Sequence, residues 1–318
     1  MKAVRQKTLR QKVAVAGIGV HSGLPVTLTL RPAKANTGIV FLRTDLPPER
    51  DGEIRADVRA VTATDFATVL GDSEGPLCAT AEHVLAALSG LGIDNAVVEL
   101  DGPEAPIMDG SAAPFVDAID RAGIVTLPAQ RRYIKVLRPV KVVQGDAVGE
   151  LRPNPDGFRL DVAIEFDHAL IGKQRISLDI DPETFRSELA RARTFGFMRD
   201  VAKLWSAGYA LGASFENTLV VTDKTVLNPE GARFPDEFVR HKALDAVGDL
   251  ALAGAPLLAS YRSLRGGHKL NHAVLSALMT NRSAWTYVTA GAPAPAPVLG
   301  HADIAGIHVQ PAFAPDMS

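Results

Sequence analysis

The sequence of 318 residues contains one cysteine, Cys78, which excludes an internal disulfide and a zinc site built from several thiolates. Long hydrophobic runs are also missing, because the least polar stretch, residues 250–261, is short and contains Gly254 and Pro256. Neither charge is in excess, since 34 basic residues oppose 36 acidic ones. We therefore expect no transmembrane segment, no nucleic-acid partner and at most peripheral contact with a membrane.

Several common catalytic motifs are absent as well. The sequence has no GxxxxGK[ST] phosphate loop, no GxGxxG followed by a Rossmann acid and no GxSxG elbow, which argues against kinases, dehydrogenases and serine hydrolases. The first eleven residues are charged and lead into no apolar run, so we expect a cytoplasmic protein without a secretory signal. Hydrophobic residues make up 47% and charged residues 22% of the chain, as in ordinary globular proteins.

Periodicity predicts the secondary structure. Alternating apolar residues predict strands in both halves of the chain, with a hairpin turn at residues 222–225. Apolar residues three and four apart predict helices over residues 80–92, 112–122, 236–253 and 271–279. We expect Thr80 to cap the first helix, and a GGH loop to present His268 just before the last one.

The two halves repeat one order of elements, which is strands, helix, strand, glycine loop, helix. This order indicates a duplication, and the strand groups look antiparallel, so we predict an α+β fold and not a doubly wound sheet. We place the first domain at residues 1–128 and the second at 129–285, with residues 127–132 as the linker. The rest, residues 286–318, is an Ala/Pro-rich tail, and the chain is expected to be irregular from about Ser283.

Two helices contain candidate metal ligands. His241 and Asp245 lie four residues apart on the third predicted helix, so they project from one face and offer a nitrogen and an oxygen to a divalent metal. Glu82 and His83 lie in the first turn of another helix, where the helix dipole favours a neutral imidazole. The alternatives are an ordinary helical His–Asp pair and a glutamate of the first turn beside a surface histidine.

Three other residues are candidates for acid–base or hydrogen-bonding roles. Asp249 lies two turns along the helix from His241 and can orient a catalytic imidazole and favour its protonated form. His268 is the candidate imidazole, and Thr194 offers a hydroxyl beside two aromatic residues. The alternative for Thr194 is that RTFGF is a packing motif.

The sequence resembles a known family in six segments. These are GIGVHSG, TAEHVLAAL, PIMDGSA, RARTFGF, LNPEGARFPDEFVRHKALDAVGDL and GGHKLNH, in this order and spacing. They resemble the UDP-3-O-acyl-N-acetylglucosamine deacetylases, which catalyse the committed step of lipid A biosynthesis. The resemblance covers roughly residues 5–280. It implies two domains of similar fold, each a mostly antiparallel sheet packed against two helices, with the active site between them.

The resemblance implies the metal site. His83, His241 and Asp245 would bind zinc, and iron(II) suits the same ligands. Three protein ligands leave a position open for water, and zinc can lower the pKa of that water to about 7.

The resemblance also implies the catalytic residues. Glu82 would be the general base, and His268 would be the general acid, with its charge supported by Asp249. Thr194 would help to stabilise the oxyanion.

Substrate contacts are implied in the same way. Lys242 would contact the nucleotide-sugar, Phe166 and His168 would lie near the uridine, and an insert at residues 195–221 would form a passage for the acyl chain. The expected lining residues of this insert are Phe195, Phe197, Met198, Leu211 and Ser214. Alternatively, its apolar residues fill the core of the second domain.

We expect a monomer that hydrolyses the N-acetyl group of UDP-3-O-acyl-N-acetylglucosamine. The alternatives are a zinc amidohydrolase with a different N-acyl substrate and a non-catalytic protein that binds a sugar nucleotide.

Overall fold

A computed structural model describes residues 4–289 of the chain, which form strands and six helices. The strands, in chain order, are β1 (Arg5–Leu9), β2 (Val13–Ile18), β3 (Pro25–Pro32), β4 (Ile39–Arg43), β5 (Glu53–Arg55), β6 (Val61–Ala63), β7 (Val69–Asp72), β8 (Gly75–Cys78), β9 (Ala96–Leu100), β10 (Ile124–Gln130), β11 (Arg132–Val136), β12 (Val140–Gln144), β13 (Ala147–Pro153), β14 (Phe158–Glu165), β15 (Lys173–Ile180), β16 (Phe195–Phe197), β17 (Leu219–Val221), β18 (Leu257–Leu264) and β19 (Trp285–Thr289).

The helices are α1 (Glu82–Gly90), α2 (Ala113–Ala122), α3 (Pro182–Thr184), α4 (Val201–Ser206), α5 (Glu237–Ala251) and α6 (His268–Thr280). A π-helical turn, Phe185–Leu189, follows α3, and 3₁₀ turns occupy Val58–Ala60 and Met198–Asp200. Within the described part of the chain, none of these helices is long and apolar enough to span a membrane.

The two halves of the chain share one sheet topology. The first sheet has the strand order β2-β3-β9-β4-β5, and the second contains the same path as β12-β13-β18-β14-β15. The central strand β9 runs antiparallel to β3 and parallel to β4. In the same way, β18 runs antiparallel to β13 and parallel to β14. A helix precedes and another follows each central strand, α1 and α2 around β9, α5 and α6 around β18. The predicted α+β fold with two similar halves is therefore confirmed.

Two predictions about irregular segments change with the structure. Residues 127–132, the expected linker, belong to β10 and β11, and β10 pairs with β1. The boundary at residue 128 stays a prediction. The irregular tail was predicted from about Ser283, and this is wrong for Trp285–Thr289, which pairs antiparallel with β11 as strand β19. Alternating β-branched and aromatic residues explain this strand. The rest of the predicted tail lies outside the described residues.

The predicted cap of the first helix is also wrong. Helix α1 begins at Glu82, and Ala81 occupies the capping position without a side-chain hydrogen bond. Thr80 has a positive φ of 55°, and its hydroxyl donates instead to the carboxylate of Glu104 at 2.8 Å. Thr80 therefore lies one residue before the capping position, and its hydroxyl binds a buried carboxylate.

The two halves meet where α1 packs against α5. All of α1 except Ser89 is buried. At Gly248 of α5 a methyl group would overlap the main-chain carbonyl oxygen of Glu82. Glycine costs roughly 1 kcal/mol relative to alanine inside a helix, and here its missing side chain permits this close approach. The contact places the first turn of α1 beside the C-terminal half of α5, where Asp245 and Asp249 lie.

The substitution Gly248→Ala tests this contact. We expect it to lower the free energy of unfolding by about 1–3 kcal/mol, because the clash is with main chain and no side-chain rotation relieves it. Urea unfolding measures the change. Gly196→Ala is the control, since its nearest neighbour would be Thr218 Cγ2 at 4.0 Å. Equal stability of Gly248→Ala and the wild-type protein would show that the helices do not depend on this glycine.

Candidate active site

Three side chains converge between α1 and α5. His83 comes from α1, and His241 and Asp245 come from successive turns of α5. Their nearest ligand atoms all lie within 4.8 Å of one another. Nε2 of His241 is 3.3 Å and Nε2 of His83 is 3.7 Å from Oδ1 of Asp245. Two imidazole nitrogens and one carboxylate oxygen therefore face a common point.

The donor atoms of this triad fit a divalent metal ion. His83 Nδ1 and Asp245 Oδ1 are buried and have no hydrogen-bond partner among residues 4–289. Nδ1 of His241 lies 3.0 Å from the carbonyl oxygen of Ala192, a contact that favours a proton on Nδ1 and leaves the lone pair of Nε2 facing the triad. A cation bound here would satisfy the unpartnered carboxylate oxygen.

The charge states of the triad suit a metal as well. Burial lowers the pKa of His83 to about 3, and burial also lowers the pKa of His241. For Asp245, burial opposes ionisation, but neighbouring cations such as Lys242 outweigh it and hold the pKa of this carboxyl below its usual range. Neutral imidazoles and an ionised carboxylate are the forms in which these side chains bind metals.

Glu82 lies next to the triad as the first residue of α1. Its Oε2 accepts a hydrogen bond from the main-chain N–H of Thr68 at 3.0 Å, and its Oε1 is 3.7 Å from Nε2 of His268. Burial raises the pKa of Glu82 to about 7. A carboxylate with a pKa near neutrality is suited to remove a proton from water. The alternative in which His83 is a surface residue is wrong, since both side chains are 3% exposed.

His268 faces Glu82 from the second half of the chain. It is the first residue of α6, so the prediction of a loop position is wrong, and Gly267 instead precedes the helix in an extended conformation. Its Nδ1 is 2.9 Å from Oδ2 of Asp249. Burial disfavours the imidazolium, but Asp249 and Glu82 outweigh burial and raise the pKa of His268 to about 9. The raised pKa favours the charged form of the His268 imidazole.

Lys242 and Phe195 lie at the edge of the triad. Nζ of Lys242 donates to Oδ2 of Asp245 at 2.9 Å and lies 5.7 Å from the centre of the Phe195 ring. Thr194 precedes Phe195, and its main chain is held by Gly110 and Leu219 through hydrogen bonds of 2.8 Å each. The Phe195 ring packs against that of Phe238 in α5 at 4.9 Å, so the RTFGF segment also agrees with a packing role.

The predicted aromatic residues form one cluster near His241. Phe166, Phe195 and Phe197 lie with ring centres 5.9–6.4 Å apart, and the Phe195 ring is 6.4 Å from that of His241. His168 packs on Phe197 at 5.3 Å and is buried. Phe195 and Phe197 also pack against the core, so the alternative of a core role holds in part for them.

Other residues of the insert are exposed. Met198 is 50% and Leu211 54% exposed, so they do not fill the core. The amide of Leu211 donates to the carbonyl of His21 at 3.1 Å, which attaches the insert to the first half of the chain. The hydroxyl of Ser214 accepts from the amide of Glu216 at 3.3 Å within its own turn. The residues predicted for the insert therefore divide between an aromatic cluster and an exposed apolar surface.

Sequence reasoning missed Thr68 and Asn271. The hydroxyl of Thr68 donates to Oδ1 of Asp249, and the amide of Asn271 donates to Oδ2 of the same residue at 2.8 Å. Asn271 lies in the GGHKLNH segment and could have been found there. No sequence motif indicates Thr68, because its contacts are with residues distant in sequence.

Comparison with known proteins agrees with this geometry. The family model LpxC, described as UDP-3-O-acyl N-acetylglycosamine deacetylase, matches residues 6–280. Proteins named UDP-3-O-acyl-N-acetylglucosamine deacetylase from Brucella ovis, Brucella canis and Brucella melitensis are each 50% identical to the chain over 286 residues, which is 90% of this chain and 99% of each relative. The chain therefore belongs to the UDP-3-O-acyl N-acetylglycosamine deacetylase family.

Proposed function

We propose that the chain hydrolyses the N-acetyl group of UDP-3-O-acyl-N-acetylglucosamine to give acetate and the free amine, the committed step of lipid A biosynthesis. The observation that supports this most is the convergence of His83, His241 and Asp245 beside Glu82 and His268 in a chain of this family. Amide hydrolysis needs an activated water, a stabilised oxyanion and a protonated leaving amine. The buried site contains groups suited to each requirement.

We assign the metal site to His83, His241 and Asp245, with zinc as the metal and iron(II) as a second ion that the ligands accept. When bound there, the metal would polarise the acetyl carbonyl and lower the pKa of water. The protein holds His241 by its contact with Ala192 and Asp245 by its contact with Lys242. Both contacts orient the proposed ligand side chains.

In the reaction, Glu82 takes a proton from the attacking water as the new C–O bond forms at the acetyl carbon. The hydroxyl of Thr194 donates a hydrogen bond to the developing oxyanion. His268 gives its proton to the amide nitrogen as the C–N bond breaks, and Asp249 keeps this imidazole oriented and charged. The products are acetate and the amine of the sugar.

The substrate contacts follow from the arrangement around the triad. Lys242 lies beside Asp245, where its ammonium can contact the nucleotide-sugar, and we assign Phe166 and His168 to the uridine side of the aromatic cluster. The exposed apolar residues Met198 and Leu211 provide a surface for the acyl chain. Burial of that chain contributes roughly 0.8 kcal/mol per methylene.

We further propose that the enzyme acts as a cytoplasmic monomer. One chain supplies all three metal ligands and both acid–base groups, so the site needs no second copy. The single cysteine, Cys78, agrees with a reducing compartment.

Metal content and activity test the ligand assignment together. His83→Ala, His241→Ala and Asp245→Ala should each lose bound zinc and acetate release, because three ligands are the minimum for such a site. Metal analysis after dialysis and an acetate assay, with and without chelator, measure both. His272→Ala is the control. This histidine contacts Val58 and Ser276, so the variant protein should keep its bound zinc. Full metal occupancy in His83→Ala would contradict the ligand assignment. If acetate were released only from other N-acyl substrates, the proposed substrate would be wrong.

The two acid–base residues should differ in their pH dependence. Glu82→Gln should keep the metal and lose kcat by about 10²-fold or more, and His268→Gln should do likewise and remove the alkaline limb of the rate profile. Because His268 acts when protonated, activity falls as pH rises through its pKa. Asp249→Asn lowers that pKa, so the alkaline limb should move to lower pH, as the profile of kcat/KM against pH will show. An unchanged alkaline limb in His268→Gln would exclude its role as the acid.

Chain-length dependence tests the acyl passage. Ala213 lies in the insert and is half-buried, so Ala213→Leu should narrow the passage. We expect KM to rise more for a long-chain substrate than for a short-chain analogue, with kcat on the analogue nearly unchanged, because the acetyl group leaves at the metal end. Ala202→Leu, at an exposed position of α4, is the matched control. An equal effect on both substrates would place these residues in the core and not in a passage.

A further inference from the structure

Thr68 lies between the proposed base and the proposed acid. It immediately precedes β7 and is 2% exposed. Its main-chain N–H donates to Glu82 at 3.0 Å, and its carbonyl accepts from the N–H of Ala81 at 3.2 Å. Both main-chain groups of Thr68 are thus bound to the start of α1, which fixes the position of its side chain relative to Glu82.

The hydroxyl of Thr68 reaches the second half of the chain. It donates to Oδ1 of Asp249 and lies 3.4 Å from Nδ1 of His268. The other carboxylate oxygen, Oδ2, contacts His268 at 2.9 Å and Asn271 at 2.8 Å. Asn271 is oriented in turn by the hydroxyl of Tyr261, which donates to its amide oxygen at 2.7 Å.

The hydrogen bonds around Asp249 come from different halves of the chain. His268, Asn271 and Tyr261 belong to the same half as Asp249, so the hydrogen bonds that join these residues to one another and to Asp249 lie within that half. Among the hydrogen bonds to Asp249 described above, only that of Thr68 comes from the first half. A buried hydrogen bond to a charged carboxylate contributes more than one between neutral groups.

We propose that Thr68 is a positioning residue that holds the Asp249–His268 pair at a fixed distance from Glu82 across the two halves. The inference rests on the proposed roles of Glu82 as base and His268 as acid. Thr68 contacts neither substrate nor metal in this assignment. It acts through Asp249, and its hydroxyl is the group that matters, because the main-chain contact with Glu82 does not require a particular side chain.

Thr68→Val tests this inference, since it keeps the shape and the main-chain contacts and removes only the hydroxyl. We expect kcat to fall roughly 10- to 100-fold, as for a lost hydrogen bond to a charged group, with KM and zinc content unchanged. Thr68→Ser restores the hydroxyl and should recover most of kcat. Thr62→Val, an exposed threonine of β6, is the matched control. Wild-type kcat in Thr68→Val, or equal losses in the Val and Ser variants, would overturn the inference.

A double-mutant cycle identifies the partner. In an Asp249→Ala background, Thr68→Val should have almost no further effect on kcat, because the carboxylate through which it acts is gone. Independent, multiplicative losses would overturn the inference and assign Thr68 a general structural role.

Proton NMR separates this inference from the proposed function. The imidazole N–H of His268 that faces Asp249 should give a downfield resonance, assigned by its loss in Asp249→Ala, and Thr68→Val should shift or broaden it. This readout does not depend on the substrate. A chain that releases no acetate but shows the shift would contradict only the proposed function, whereas an unchanged resonance would overturn the role of Thr68.

Discussion

The close packing of α1 on α5 determines the geometry of the site. Gly248 allows the main chain of Glu82 to approach α5, and this places the first turn of α1 opposite Asp245 and Asp249. A side chain at position 248 would overlap the carbonyl oxygen of Glu82 and push the start of α1 away from α5. The proposed metal ligands and the proposed base therefore depend on a contact between the main chain of α1 and Gly248 of α5.

The same contact buries a dense group of ionisable side chains. Glu82, His83, His241, Asp245, Asp249 and His268 are each at most 8% exposed. Transfer of one charge from water costs several kcal/mol unless partners compensate it. Here Lys242 and His268 face carboxylates, and hydrogen bonds from threonine, asparagine and main-chain groups satisfy oxygen atoms. Oδ1 of Asp245, which has no hydrogen-bond partner among residues 4–289, lies where this residue, His83 and His241 converge.

The repeated topology gives equivalent elements different chemistry. Helix α1 precedes the central strand of the first sheet and contains Glu82 and His83, and α5 precedes the central strand of the second and contains His241, Asp245 and Asp249. The helix after the second central strand begins with His268. Two copies of one arrangement thus meet through their equivalent helices, and the site forms from the residues in which they differ.

Local patterns predicted much of this arrangement. Helical spacing was sufficient to place His241 and Asp245 on one face, and the alternation of apolar residues was sufficient for the α+β class, because both depend on neighbours a few residues apart. Family resemblance indicated His83, Glu82 and His268 as partners. Tertiary structure alone decided that Thr80 turns to Glu104, that residues 285–289 join a sheet and that Thr68 contacts Asp249. These contacts join residues up to 181 positions apart, and no sequence periodicity records a hydrogen bond across that separation.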